Sequence, residues 1–164
     1  MAKSDMFLKV TGQRTGEILG ESSDKLFPSQ IDVIDWAWAM SAPSAMDGAR
    51  AGRTLMEHLK LTKRVDKAST ALMAVMNSNE LLTKVVLSVR KPGGTAPMPF
   101  FVMALEKVRI TGYQVSSGFD AEGMPALLEH VLLAFKSINI QYAVQNADGS
   151  LQGASGFIAE AGPV

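Results

Sequence analysis

The chain has 164 residues and no cysteine, with 47% hydrophobic and 20% charged side chains, and its 16 basic residues balance 16 acidic ones. That length fits a single domain over residues 1–164 with one core. Zero net charge gives no field to draw the chain onto nucleic acid or an anionic membrane, and the lack of cysteine rules out disulfides, thiolate chemistry and thiolate metal ligation while leaving the compartment open.

Met1–Val10 carries Lys3, Asp5 and Lys9 among short apolar pieces, so no signal peptide is expected. No apolar run nears the ~18–20 residues of a membrane-spanning helix, which predicts a soluble chain. Residues 31–40 alternate with period two, placing Ile34, Trp36, Trp38 and Met40 on one face of a half-buried strand. Residues 41–52 are small and turn-forming and read as a long exposed loop. A second alternating run over 53–63 sends Leu55, Leu59 and Leu61 inward and leaves His58, Lys60 and Thr62 outside. The one convincing helical stripe is Ala68, Ala71, Leu72, Val75 and Met76, predicting a short helix over about residues 68–78, with Asp66 or Ser69 at its start and Asn77–Asn79 at its end.

Val85, Leu87 and Val89 mark a further strand that stops at Lys91-Pro92-Gly93-Gly94. From Met98 to Val115 the apolar phase shifts: Phe101, Met103 and Leu105 are odd, Val108 and Ile110 even. Leu127–Val144 does the same, Val131, Leu133 and Phe135 giving way to Ile138, Ile140, Tyr142 and Val144, with the switch at Lys136 and Ser137. Two long strands that each reverse their buried face imply bulges or bends. The expected fold is mainly β: a closed antiparallel β-barrel or two curved sheets with one short flanking helix.

Catalytic and metal signals are weak. His58 and His130 each follow a glutamate within a strand, where neighbouring side chains point to opposite faces, so neither Glu-His pair converges on a site. No spacing supplies a metal centre or cofactor site, and no nucleophile elbow is present. Trp36 and Trp38 share a face and so offer a stacking platform for a small molecule or sugar, but flanking Ile34 and Met40 favour core packing. Of the ten methionines, Met40 and Met76 read as core gap-fillers. A monomeric ligand-binding barrel and a hydrolase using His58 or His130 are the alternatives to a non-enzymatic structural role.

The strings Ile31-Asp32-Val33-Ile34-Asp35-Trp36-Ala37-Trp38 and Leu61-Thr62-Lys63-Arg64-Val65-Asp66-Lys67-Ala68-Ser69, with Arg90-Lys91-Pro92-Gly93-Gly94 and Gln145-Asn146-Ala147-Asp148-Gly149-Ser150-Leu151, resemble the Hcp family of the bacterial type VI secretion system. Phe27-Pro28, Val144 and the end from Phe157 to Val164 depart from the family pattern, and no fused toxin domain is expected. The resemblance implies a β-barrel that assembles as a homohexamer, stacks into a tube, meets sheath and spike proteins and carries small effectors in its lumen, without cofactor, catalysis or membrane insertion. It also implies a bacterial cytoplasmic location before firing and release outside the cell afterwards. Asp47, Arg50 and Arg53 on the exposed loop are the candidate ring-stacking residues.

Overall fold

The fold turns on one corner in its longest strand, β9 (Phe101–Phe119). Met103 and Leu105 are buried, then Val108 and Ile110, and between the two pairs Lys107 takes φ 53°. A residue in that left-handed region kinks a strand and turns its next side chains over. The phase shift read in the sequence is this kink. Opposite it, β10 (Pro125–Ala134) and β11 (Ser137–Gln145) are separate strands, not the continuous one expected. Their break lies against the kink, where the Lys136 amide donates to the carbonyls of Glu106 and Lys107 at 3.1 and 3.2 Å. Strand β9 pairs with β11 as far as Glu106 and with β8 (Leu82–Val89) as far as Val108; from Arg109 onward it pairs with β10.

This computed structural model describes residues 5–43, 47–49, 52–91, 98–120, 122–146 and 150–161. The other strands are β1 (Met6–Gly12), β2 (Gly16–Ile18), β3 (Ile31–Asp32), β4 (Asp35–Ala37), β5 (Met40–Ser41), β6 (Leu55–Met56), β7 (Leu59–Arg64) and β12 (Leu151–Glu160), and the helix is α1 (Ser69–Ser78). Ten strands form one antiparallel sheet with the path β2-β1-β8-β9-β10-β7-β4, carrying β3 on β1, β11 on β9 and β12 on β11. Leu8, Val10, Val85, Leu87, Leu105 and Val131 meet Leu59, Leu61, Leu72 and Val75 in one core inside the bend.

The tryptophan segment departs from expectation in an informative way. It is broken into β3, β4 and β5, and Ile31 and Val33 are buried ahead of the even-numbered tryptophans. The cause is a change of neighbour. Val33 N donates to the Met6 carbonyl at 3.0 Å and Ile34 N to the Thr62 carbonyl at 2.8 Å, so the chain leaves β1 for β7 between consecutive residues. No described ladder closes the sheet path end to end; this segment instead bridges its two sides. Met40 lies beyond the core and is exposed, as is Leu55, its diagonal neighbour in the separate β5-β6 ladder, so neither packs inward as expected.

Helix α1 ends as its sequence suggests. Asn79 adopts φ 55°, and the amides of Asn79 and Glu80 return to the carbonyls of Met76 and Val75, satisfying the last turn. Its start is organised before the first turn: Asp66 Oδ1 accepts from Ala68 N at 3.0 Å and Ser69 Oγ from Asp66 N at 2.9 Å. Residues 20–31 form a loop whose ends nearly touch. A Cβ at Gly20 would stand 2.5 Å from the Gln30 carbonyl oxygen, so this crossing requires glycine. The loop seals the outer side of β1, where Phe27 stacks on Phe7 at 4.5 Å.

Candidate functional site

The β5-β6 ladder, Met40 opposite Met56 and Ser41 opposite Leu55, forms the base of the loop chosen from the sequence. Asp47 and Arg53 are exposed on it, and Asp47 Oδ1 accepts the Ala49 amide at 3.0 Å in a local turn. Arg50 lies outside the described residues. Of the turns named from sequence, residues 92–97 and 147–149 also lie outside them, while the Asn146 amide closes the second onto the Ser150 carbonyl at 2.8 Å.

The histidines take structural partners. His58 Nδ1 lies 2.8 Å from Thr111 Oγ1 and His130 Nδ1 lies 3.1 Å from Thr62 Oγ1. Among the described residues neither imidazole bonds a carboxylate, which a base in a nucleophilic triad would need. No group of three potential ligands is placed to hold a metal among those residues. Trp36 stacks on Phe101 and Trp38 tilts against Phe135, both packed on the core, so their faces are spent on packing.

Sequence reasoning missed two buried ionic clusters. Lys63 continues the inward phase of Leu59 and Leu61 and is only 1% exposed; Glu129 continues that of Val131 and is fully buried. Lys63 Nζ bonds Glu129 Oε2, Asp66 Oδ1 at 3.0 Å, the Arg64 carbonyl at 2.8 Å and Ser69 Oγ at 3.2 Å, tying β7 to β10 and to the start of α1. Burial and the nearby Glu129 carboxylate hold the Tyr113 phenol well above its ordinary pKa. In the second cluster Arg90 grips Asp24 through both terminal nitrogens and Asp5 through Nε at 3.1 Å, with its guanidinium 5.2 and 5.8 Å from the Phe7 and Phe27 ring centres. For the first cluster the available signal was parity, a charged residue in phase with buried neighbours on its own strand; Arg90, just past the end of β8, and Asp24, in a loop, gave no such signal.

Asp32, in the bridging segment, sits among charges already committed elsewhere. Burial raises its carboxyl pKa most, followed by the charge of Asp66; Arg64 opposes the rise and Asp24 and Glu21 add to it. A folded value above the unfolded one means that ionising Asp32 works against folding as pH rises. Asp32→Asn is therefore expected to raise the melting temperature at about pH 7, with the gain disappearing below about pH 4, where the unfolded chain's aspartate also binds the proton. A gain independent of pH in paired thermal scans would refute this account.

The tip of the β9-β10 hairpin is fixed by Asp120. Its Oδ1 accepts the Glu122 and Met124 amides, each at 2.9 Å, and its Oδ2 takes Arg64 Nη2 at 2.8 Å. These bonds hold the carboxyl below its ordinary pKa, so their support is present at neutral pH and is lost as acid protonates the group. Beyond the core several large apolar side chains remain uncovered, among them Phe119, Leu127 and Val115 on this hairpin and Ile158, Phe157 and Tyr142 on β11-β12.

Similar folds are found among type VI secretion proteins. A type VI secretion system effector from Yersinia pestis superimposes with a TM-score of 0.70 at 22% identity, covering 95% of this chain and 99% of that one. A structure described as a type six secretion system protein gives 0.77 at 21% identity, covering 92% and 91%. Those likenesses define the architecture as the mainly β fold shared by these secretion proteins. The sequence goes further: the family described as "Type VI secretion system effector, Hcp" matches residues 7–142, and Protein hcp1 of Pseudomonas aeruginosa is 34% identical over 152 residues, 91% of this chain and 89% of that protein. The chain belongs to the Hcp family of the type VI secretion system. No helix among the described residues is long and apolar enough to cross a membrane.

Proposed function

We propose that this protein is a structural subunit of the type VI secretion tube. Its 164 residues act as one domain, the curved sheet closing into a barrel through the bridging segment 31–37. Six copies form a ring, rings stack into the inner tube, and the lumen carries and chaperones small effectors. The subunit meets sheath and spike proteins, catalyses nothing, needs no cofactor, binds no nucleic acid and inserts in no membrane. It resides in the bacterial cytoplasm before firing and leaves through the apparatus. The observation that carries this reading is family membership across residues 7–142, supported by the uncovered apolar side chains on two hairpins.

Light scattering on a gel-filtration column, with negative-stain imaging of the main peak, tests it. A sixfold mass with annular particles is expected; a stable monomer at high concentration would overturn the ring.

Stacking is assigned to the loop above the β5-β6 ladder. Charge reversal at Arg50 and Arg53, or at Asp47, is expected to shorten or abolish tubes while single rings keep their mass, because a heterologous face-to-face contact is lost without touching the ring. Tube lengths unchanged by electron microscopy would remove Asp47, Arg50 and Arg53 from that role.

A further inference from the structure

The chain holds ten methionines and no cysteine, so reversible two-electron oxidation at sulfur falls to thioethers alone. Met103 is shielded in the core, while Met73 on α1, Met98 ahead of β9 and Met124 at the tip of the β9-β10 hairpin are exposed, where an added oxygen would simply meet water. Met40 combines the two situations. It is 45% exposed, yet it stands directly opposite Met56, which is half-buried and packed on the core.

The backbone brings these two side chains together. Next to them the Glu57 amide donates to the Ala39 carbonyl at 2.9 Å, which makes Met40 and Met56 a non-hydrogen-bonded pair. In such a pair the Cα atoms stand about 4.5 Å apart, and the side chains share one face at their closest approach. The β5-β6 ladder has only two residue pairs, Met40 with Met56 and Ser41 with Leu55, and it is separate from the main sheet. A two-stranded ladder is marginal in water by itself, so the methionine contact is a large share of what closes it. The two strands lead straight into the loop assigned above to stacking.

We infer that Met40 is a redox modification site, oxidised by a hydroperoxide, and that its sulfoxide opens the β5-β6 ladder. The sulfur lone pair attacks the terminal peroxide oxygen, forming the S–O bond as the O–O bond breaks. Sulfur gives up two electrons, and the proton of the attacked hydroxyl passes to the departing oxygen, which leaves as water when the oxidant is hydrogen peroxide. The new oxygen is a strong acceptor set against the apolar side chain of Met56, where it finds no donor and loses water. The oxidised side chain turns out to solvent and the contact that closes the ladder is lost. Each sulfoxide epimer is returned to thioether by its own reductase, so the change is reversible. Shortening of tubes by this opening rests on the stacking reading above; the oxidation and the opening do not.

The test treats the full chain with hydrogen peroxide and follows peptide masses, hydrogen exchange at the Glu57 amide and tube length. Met40 is expected to oxidise together with Met73, Met98 and Met124, and the Glu57 amide to exchange roughly tenfold faster while the amides of β8 keep their rates. Treatment with both reductases should restore slow exchange. Met40→Gln should show the fast exchange without oxidant, and Met40→Leu should stay slow while the other three methionines oxidise. Four results would overturn the inference: Met40 spared while those three are oxidised, Met40 oxidised with Glu57 exchange unchanged, a Glu57 amide unprotected before oxidant is added, or a Met40→Leu variant that opens under peroxide as the wild type does. A ladder that opens with tube lengths unchanged would remove the loop from stacking and leave the redox site standing.

Discussion

Lys63→Met is expected to cost roughly 3–5 kcal/mol of folding stability, because it strands a buried carboxylate instead of merely deleting a contact. Glu129 is fully buried and Lys63 is the one cation bonded to it among the described residues; its other oxygen, Oε1, has no hydrogen-bond partner there. The same ammonium holds Asp66 and Ser69 at the start of α1, so the helix should loosen before the sheet does. The double variant Lys63→Met/Glu129→Leu removes both charges and should regain most of the loss, since apolar groups of similar volume often replace a buried ion pair with little penalty. Urea unfolding of the two variants with the wild type decides it. If the double variant were less stable than the single one, Lys63 would be acting through packing alone.

This cluster explains part of the family-like string from Leu61 to Ser69. Its lysine, aspartate and serine build the junction between β7 and α1 rather than a surface for a partner. Such a role was only partly legible beforehand. Leu59, Leu61 and Lys63 share one parity, but the inward set read from the alternation stops at Leu61, and the partner of Lys63, Glu129, lies 66 positions away. The phase shifts in the two long strands were readable because they are written in local periodicity, and they located the corner at Lys107 and Lys136. The break between Val33 and Ile34 was not, because it depends on which strand supplies the next carbonyl, Met6 or Thr62. Composition marked residues 41–52 as a loop; the β5-β6 ladder at its base depends on pairing across that loop, which periodicity does not encode.

Replacing Arg90 should have an effect of similar size, and the choice of substitute separates its possible causes. The guanidinium does three things at once: it bonds both oxygens of buried Asp24, bonds Asp5, and lies against Phe7 and Phe27. Arg90→Leu keeps apolar contact with the rings but takes the guanidinium away from the buried Asp24 carboxylate, for an expected loss of about 3–5 kcal/mol. Arg90→Lys keeps the charge, yet a single ammonium lacks the planar fork that meets Asp24 with two parallel bonds while reaching Asp5, so it should recover only a minor part. The loss should appear first in residues 20–31, which Arg90 pins across the outside of β1. The Ser22 and Ser29 amides, bonded to the Gln30 and Ser22 carbonyls, should exchange with solvent faster than those of β8, and cleavage after Lys25 should accelerate. Exposure of Phe7 on the outer side of β1 would follow, turning a sealed surface into an adhesive one. An Arg90→Lys variant as stable and as slow to exchange as the wild type would mean that charge alone holds the loop and that the two-pronged geometry is incidental.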